Sequence, residues 1–180
     1  MGGLTACAYP ATTFLLHMNW KPKQIQRYRK LVEVSSYGSI RETEAMCFQN
    51  CEFLPPVPTA AITAAENALG CALPDDLKEL YSQTDGISAH YGEPLVMPLQ
   101  KAVKENETLR QSLDLRGLYM PFSHMLVFGG TGNGDLFFFP IHTDGSLARN
   151  VFIWDHESDS RSYFANTLKD LFLRHATNLA

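Results

Sequence analysis

The sequence predicts an α+β domain: an antiparallel sheet of about four to six strands flanked by helices. Helical periodicity governs residues 59–113, strand-like apolar runs divided by glycine-rich turns govern residues 125–154, and one more helical stripe closes the chain. With 45% hydrophobic and 19% charged residues, the 180-residue chain can bury a core and is not compositionally disordered.

Leu54-Pro55-Pro56-Val57-Pro58-Thr59 packs three prolines into six residues and marks a boundary, because proline fixes its own backbone and extends the residue before it. Charge changes there as well. Residues 1–54 carry 6 Lys and Arg against 4 acids, whereas residues 55–180 carry 9 against 15. We therefore read 1–54 as an extension that partly docks on a domain formed by 55–180. Within the extension, Ile25, Tyr28, Leu31 and Val32 mark a weak amphipathic helix over Pro22–Val34.

Past the boundary, Thr59 is the expected N-cap of a helix with Ile62, Ala65, Ala68 and Leu69 on one stripe and Gly70 as its stop. Pro74-Asp75-Asp76 opens a second helix, with acids at its positive end and Leu77, Leu80 and Tyr81 on one face, running to Thr84-Asp85-Gly86. Leu95–Met97, between prolines, reads as a short strand, and Ala102, Val103, Leu109 and Leu113 give a third helix from Leu99. Three strands follow, at Met125–Phe128, Leu136–Ile141 and Val151–Trp154. Asn133-Gly134 and Asp144-Gly145 between them are two-residue hairpin turns, which makes the strands antiparallel neighbours. Phe164, Leu168, Leu171 and Phe172, at offsets of 4, 7 and 8, form the last helix. There is no internal repeat.

Composition excludes some functions. A net charge of −4 and a pI near 5.8 argue against a general nucleic-acid binder, whose affinity rests on Lys and Arg neutralising phosphates, but leave basic partners open. No run approaches the ~20 apolar residues of a membrane span. Met1–Leu16 lacks a Lys or Arg before its short apolar run, so no secretory signal is expected. Cys7, Cys47, Cys51 and Cys71 offer one C-x3-C pair without a nearby His, a poor zinc pattern, and read as reduced thiols of a cytoplasmic protein.

The chemistry-bearing stretches are two. Gly129–Gly134 could cradle a phosphate, but such a loop needs a helix after it, and Leu136–Phe139 reads as strand, so a hairpin is the better reading. Trp154-Asp155-His156-Glu157 could supply ligands or an acid–base pair, with His142 as an added ligand. Successive strand residues point to opposite faces, which favours a strand end that shapes a turn and presents an acidic surface. Ser123-His124 lacks a nucleophile elbow, and His17, His90 and His175 stand alone. Met18, Met46, Met97, Met120 and Met125 form no helical stripe and read as core filler. Phe137–Phe139 could offer an aromatic face to a small ligand, with at least one ring in the core.

Taken in order, Leu73-Pro74-Asp75-Asp76-Leu77-Lys78-Glu79-Leu80 ending at Asp85-Gly86, Phe128-Gly129 through Gly132-Asn133-Gly134-Asp135, Trp154-Asp155-His156-Glu157 and the final helix resemble the SUKH superfamily of Smi/Knr-type domains. The resemblance spans roughly Thr59–His175; the extension and the Gln100–Gly117 stretch depart from it. It implies an antiparallel sheet flanked by helices and a binding role, many bacterial members being immunity proteins that neutralise toxins, often nucleases or deaminases. The resulting expectation is a non-catalytic bacterial protein-binding module with no cofactor. Its partner would be a protein toxin, such as a basic nuclease, bound through Asn133, Asp135, Trp154, Asp155, His156 and Glu157. The alternatives are a metal-dependent hydrolase built on His142, Asp155, His156 and Glu157, or a regulatory small-ligand domain.

Overall fold

The computed structural model describes residues 51–89 and 92–178. The expected helix at Pro22–Val34, Cys7, Cys47, His17, His90, Met18 and Met46 lie outside the described residues. The order of elements is β1 (Glu52–Phe53), α1 (Thr59–Leu69), α2 (Asp75–Tyr81), β2 (Ile87–Ser88), α3 (Leu99–Gln111), α4 (Leu113–Arg116), β3 (Met125–Gly130), β4 (Leu136–Pro140), β5 (Val151–Trp154), β6 (Arg161–Ala165) and α5 (Leu168–Asn178), with a 3-10 turn at Phe122–His124 before β3. β3-β4-β5-β6 form a four-stranded antiparallel meander, and β1 pairs antiparallel with β2. The architecture is α+β.

Alternation along the strands sorts side chains to two cores. Leu126, Phe128, Phe137, Phe139 and Val151 face a layer built from α1, α2 and α5, whose Leu69, Leu77, Leu80 and Leu171 are buried with them. Val127, Leu136, Phe138 and Trp154 face the opposite way, against Ala102 and Leu109 of α3, Phe122 and the partly covered Tyr119. Both faces of β4 are therefore covered. The idea that Phe137–Phe139 offers an open aromatic face is corrected: all three rings are buried.

α1 and α2 start a residue apart from expectation. Pro58 and Pro74, not Thr59, occupy the N-cap positions, and neither can offer a capping side chain. α1 does stop at a left-handed Gly70, whose N–H donates to Glu66 O. α2 ends at Tyr81, short of Gly86. Leu95–Met97 forms one bridge, Ile87 with Val96, and not a full strand. The third helix breaks at Ser112, leaving Leu113 on the separate turn α4 and 76% exposed, and Met120 is likewise exposed and no core filler.

The largest difference is β6, absent from the sequence expectation. Phe164 sits in β6 and not on the last helix, where its offset from Leu168 happened to match the helical period. α5 starts at Leu168 because the Thr167 hydroxyl accepts the Asp170 N–H at 3.1 Å and donates to the Asp170 carboxylate. That Thr-x-x-Asp capping pattern was the readable signal.

Candidate functional site

Pairing of Leu136 with Trp154 places the residues just beyond them, Asp135 and Asp155, side by side at one end of the sheet. Two loops meet there: 131–135, between β3 and β4, and 155–160, between β5 and β6. Gly129, near the end of β3 and just before the first loop, has a spatial reason. A Cβ on Gly129 would lie 2.2 Å from the Leu95 carbonyl oxygen, so only glycine lets β3 pass the 94–97 segment this closely. No helix follows the loop, as the hairpin reading requires.

Neither hairpin is the expected two-residue turn. Gly134 and Gly145 have positive φ of 103° and 81°, but Asn133 and Asp144 do not; among the described residues Asp159 is the one non-glycine with positive φ. Asn133 turns the chain by hydrogen bonding instead: its Oδ1 accepts the Asp135 N–H at 3.2 Å and the Thr131 hydroxyl, and its Nδ2 donates to Asp135 Oδ2 at 3.0 Å. Asp144 does the same for the Ser146 N–H, at 2.9 Å.

Asp135 joins the two loops. Its Oδ1 lies 2.8 Å from His156 Nδ1 and accepts the His156 backbone N–H at 3.2 Å, while the imidazole lies against Gly134. Burial opposes ionisation of Asp135, but hydrogen bonds from His156 and Asn133 prevail and hold its carboxyl below the usual range. The same contact raises His156 above an ordinary imidazole, prevailing over desolvation. Asp155 shapes its own loop, its Oδ1 accepting the N–H groups of Glu157 at 2.8 Å and Ser158 at 3.1 Å. The bonds from Ser158 and then Glu157 lower its carboxyl too.

Trp154 does not present itself to a partner. It is 5% exposed, its ring meets Tyr119 and Phe122 edge-on at 5.2 and 5.1 Å, and its Nε1–H donates to Asp159 Oδ1 at 2.7 Å. Burial in the second core explains this, since β5 alternation sends Trp154 to the same face as Phe152 and Phe138. The sequence reading missed Asp159, Arg161 and Tyr119. Asp159 also accepts the Met120 N–H at 2.7 Å, Arg161 donates to the carbonyls of Met120 at 2.7 Å and Pro121 at 2.9 Å, and the Tyr119 hydroxyl donates to His156 O at 3.0 Å. The 155–160 loop is thus stitched to 131–135 on one side and to 119–121 on the other.

Of the proposed metal set, His142 is not brought in. It follows β4, whereas Asp135 precedes it, so the two lie at opposite ends of the strand. Asp135, Asp155 and His156 do converge: each offers a ligand atom, and the three atoms lie within 4.8 Å of one another. Two carboxylates and an imidazole are a donor set suited to a divalent transition metal. Asn133 and Glu157 remain exposed on the surface.

The fold and the joined loops define an α+β domain in which an antiparallel meander carries its signature residues on the loops at one end. The model of the SMI1 / KNR4 family (SUKH-1) matches residues 56–174, and the chain belongs to this family. Comparison with curated proteins finds no match. No helix among the described residues is long and apolar enough to cross a membrane.

Proposed function

We propose that the chain is a non-catalytic protein-binding module of the immunity type, which neutralises a toxin by covering a basic surface of it. Residues 55–180 form the module, and residues 1–54 are an extension that partly docks, with Glu52–Phe53 pairing onto β2 as its point of attachment. Membership of the SMI1 / KNR4 family is the observation that carries this reading. The loops support it. Asp135, Asp155 and Asp159 accept hydrogen bonds that hold backbone in place, while Asn133 and Glu157 face outward on a domain with 15 acids against 9 Lys and Arg. A negative field of this kind speeds docking on a basic partner and disfavours acidic ones.

Co-expression tests the proposal. The product of the neighbouring reading frame should arrest a host, and this chain should restore growth. Glu157→Lys, which touches no hydrogen bond of the loop framework, should weaken the complex about tenfold or more while leaving the fold intact. A neighbouring product that is harmless, or that forms no complex with the chain, would refute the reading.

The converging donors of Asp135, Asp155 and His156 favour a second reading, a metal-dependent hydrolase. Titrating purified protein with zinc separates the two: stoichiometric binding abolished by His156→Gln supports the hydrolase, and an unchanged melting temperature supports the binding module.

A further inference from the structure

A groove of about 360 Å³ opens where the extension joins the domain, walled by Leu54, Val57, Ala61, Leu99 and the prolines at 55, 56 and 58. Backbone bonds fix those walls: Leu54 O accepts the Thr84 hydroxyl at 2.8 Å, the Asp85 N–H donates to Pro55 O at 2.9 Å, and the Val57 N–H donates to Tyr81 O at 2.8 Å. Asp85 and Gln100 are the polar side chains of the lining, and the Asp85 carboxylate is already engaged, accepting the Leu99 N–H at 2.7 Å. Leu54 is nonetheless 43% exposed, and Val57 and Ala61 are half-buried. A rigid groove of this composition fits apolar side chains better than a polar ligand.

The chain itself carries such side chains a short way upstream. The extension enters the domain at β1, whose pairing with β2 is followed directly by the groove wall at Leu54. Ile25, Tyr28, Leu31 and Val32 make one apolar stripe at helical spacing, and Lys23, Arg27 and Lys30 fall on the face opposite. Residues 35–50, which join that stripe to Cys51, can stretch to roughly 55 Å, so the groove lies well within reach. Charge agrees with the pairing, since residues 1–54 hold 6 Lys and Arg against 4 acids and residues 55–180 hold 9 against 15.

We propose that the groove between the proline segment and the start of α3 is the seat of the Ile25, Tyr28, Leu31 and Val32 stripe of the same chain. The pairing rests on the reading of residues 1–54 as an extension that partly docks, and it says where and by which residues. The stripe buries its apolar face against Leu54, Val57 and Ala61, while its cations stay in water over an acidic domain. A tether of this length holds the two surfaces at an effective concentration on the order of millimolar, so a weak intrinsic affinity keeps the groove filled.

Limited trypsin digestion of the full-length chain tests the pairing, because Arg27, Arg29 and Lys30 are cleavage sites within the stripe. Cleavage there should be slow at every protein concentration, and Ala61→Glu, which sets a charge in the groove, should speed it about tenfold or more, as cleavage follows the open population. Ile25→Asp combined with Leu31→Asp should do the same from the other side of the contact. Circular dichroism confirms that each variant is folded, and hydrogen exchange of the amides of residues 25–32 should quicken by a similar factor in Ala61→Glu. Sites cut as fast in the unaltered chain as in the double variant would overturn the pairing and the docking of the extension together. Slow cleavage that Ala61→Glu leaves unchanged would place the stripe elsewhere on the domain, and protection lost on dilution would make a second copy the occupant; either result overturns this seat. None of these readouts involves a toxin, so failure here leaves the proposed binding role standing.

Discussion

β3 and β6 bound the same sheet, and their outer edges have opposite fates. Along β3, Asn106 donates to Val127 O at 2.7 Å and accepts the Val127 N–H at 2.9 Å, Arg110 donates to Met125 O at 2.9 Å, the Met97 N–H donates to Phe128 O at 2.8 Å, and the Gly130 N–H donates to Pro94 O at 2.8 Å. Helix side chains and an extended segment thus close this edge from end to end. Along β6, Ser162 and Tyr163 are exposed, and no described element covers the outward groups. The difference teaches that satisfying an edge is a separate task from forming the sheet, since an uncovered edge is a template for another strand. Among the described residues, the molecule performs that task along β3 and not along β6.

The sharpest way to break this comparison is at Asn106, which is 1% exposed. Asn106→Leu leaves both the N–H and C=O of Val127 buried without partners and should cost about 2–4 kcal/mol of stability in urea titration. On β6, Tyr163→Thr loses one edge-on ring contact with Phe152 and should cost less than about 1 kcal/mol in the same titration. Equal losses at the two positions would mean that β6 is as closed as β3.

How much of this contrast the sequence carried can be judged from the same residues. The apolar stripe of α3, Ala102, Val103 and Leu109, was legible, and the lone amide within it, Asn106, was a readable sign that something polar waits opposite. What waits there, the Val127 backbone, was not legible, because the pairing spans 21 residues and exists only once β3 lies beside α3. β6 escaped for a complementary reason. A strand with one neighbour and one half-covered face shows no clean alternation, and Phe164 fell by chance into the helical period of α5.

The joined loops supply a smaller test. The raised folded-state value of His156 means that its contribution to stability is complete below the unfolded pKa of about 6.5 and is lost as pH climbs through the folded value. Asp135, lowered on folding, contributes above about 3.9 and loses its contribution as pH falls through the folded value. Thermal melts should therefore show stability sloping down as pH rises from about 6.5, and His156→Gln should flatten that slope. A slope that survives the substitution would assign it to another group.

The sequence by itself determined the kind of domain, the three strands it could show as apolar runs, the hairpin order and the placement of the signature residues on turns, because these depend on local periodicity and on glycine, proline and Asx chemistry. Only the tertiary structure decided what those residues do. Trp154 is buried because Tyr119 and Phe122 pack edge-on against it from outside the sheet, Asp135 holds His156 because Leu136 pairs with Trp154, and Asp159 takes a left-handed backbone at φ 57° where it meets Trp154 and Met120 together. Each of these facts is a meeting of segments distant along the chain or a backbone choice fixed by such a meeting, and local sequence physics has no term for either.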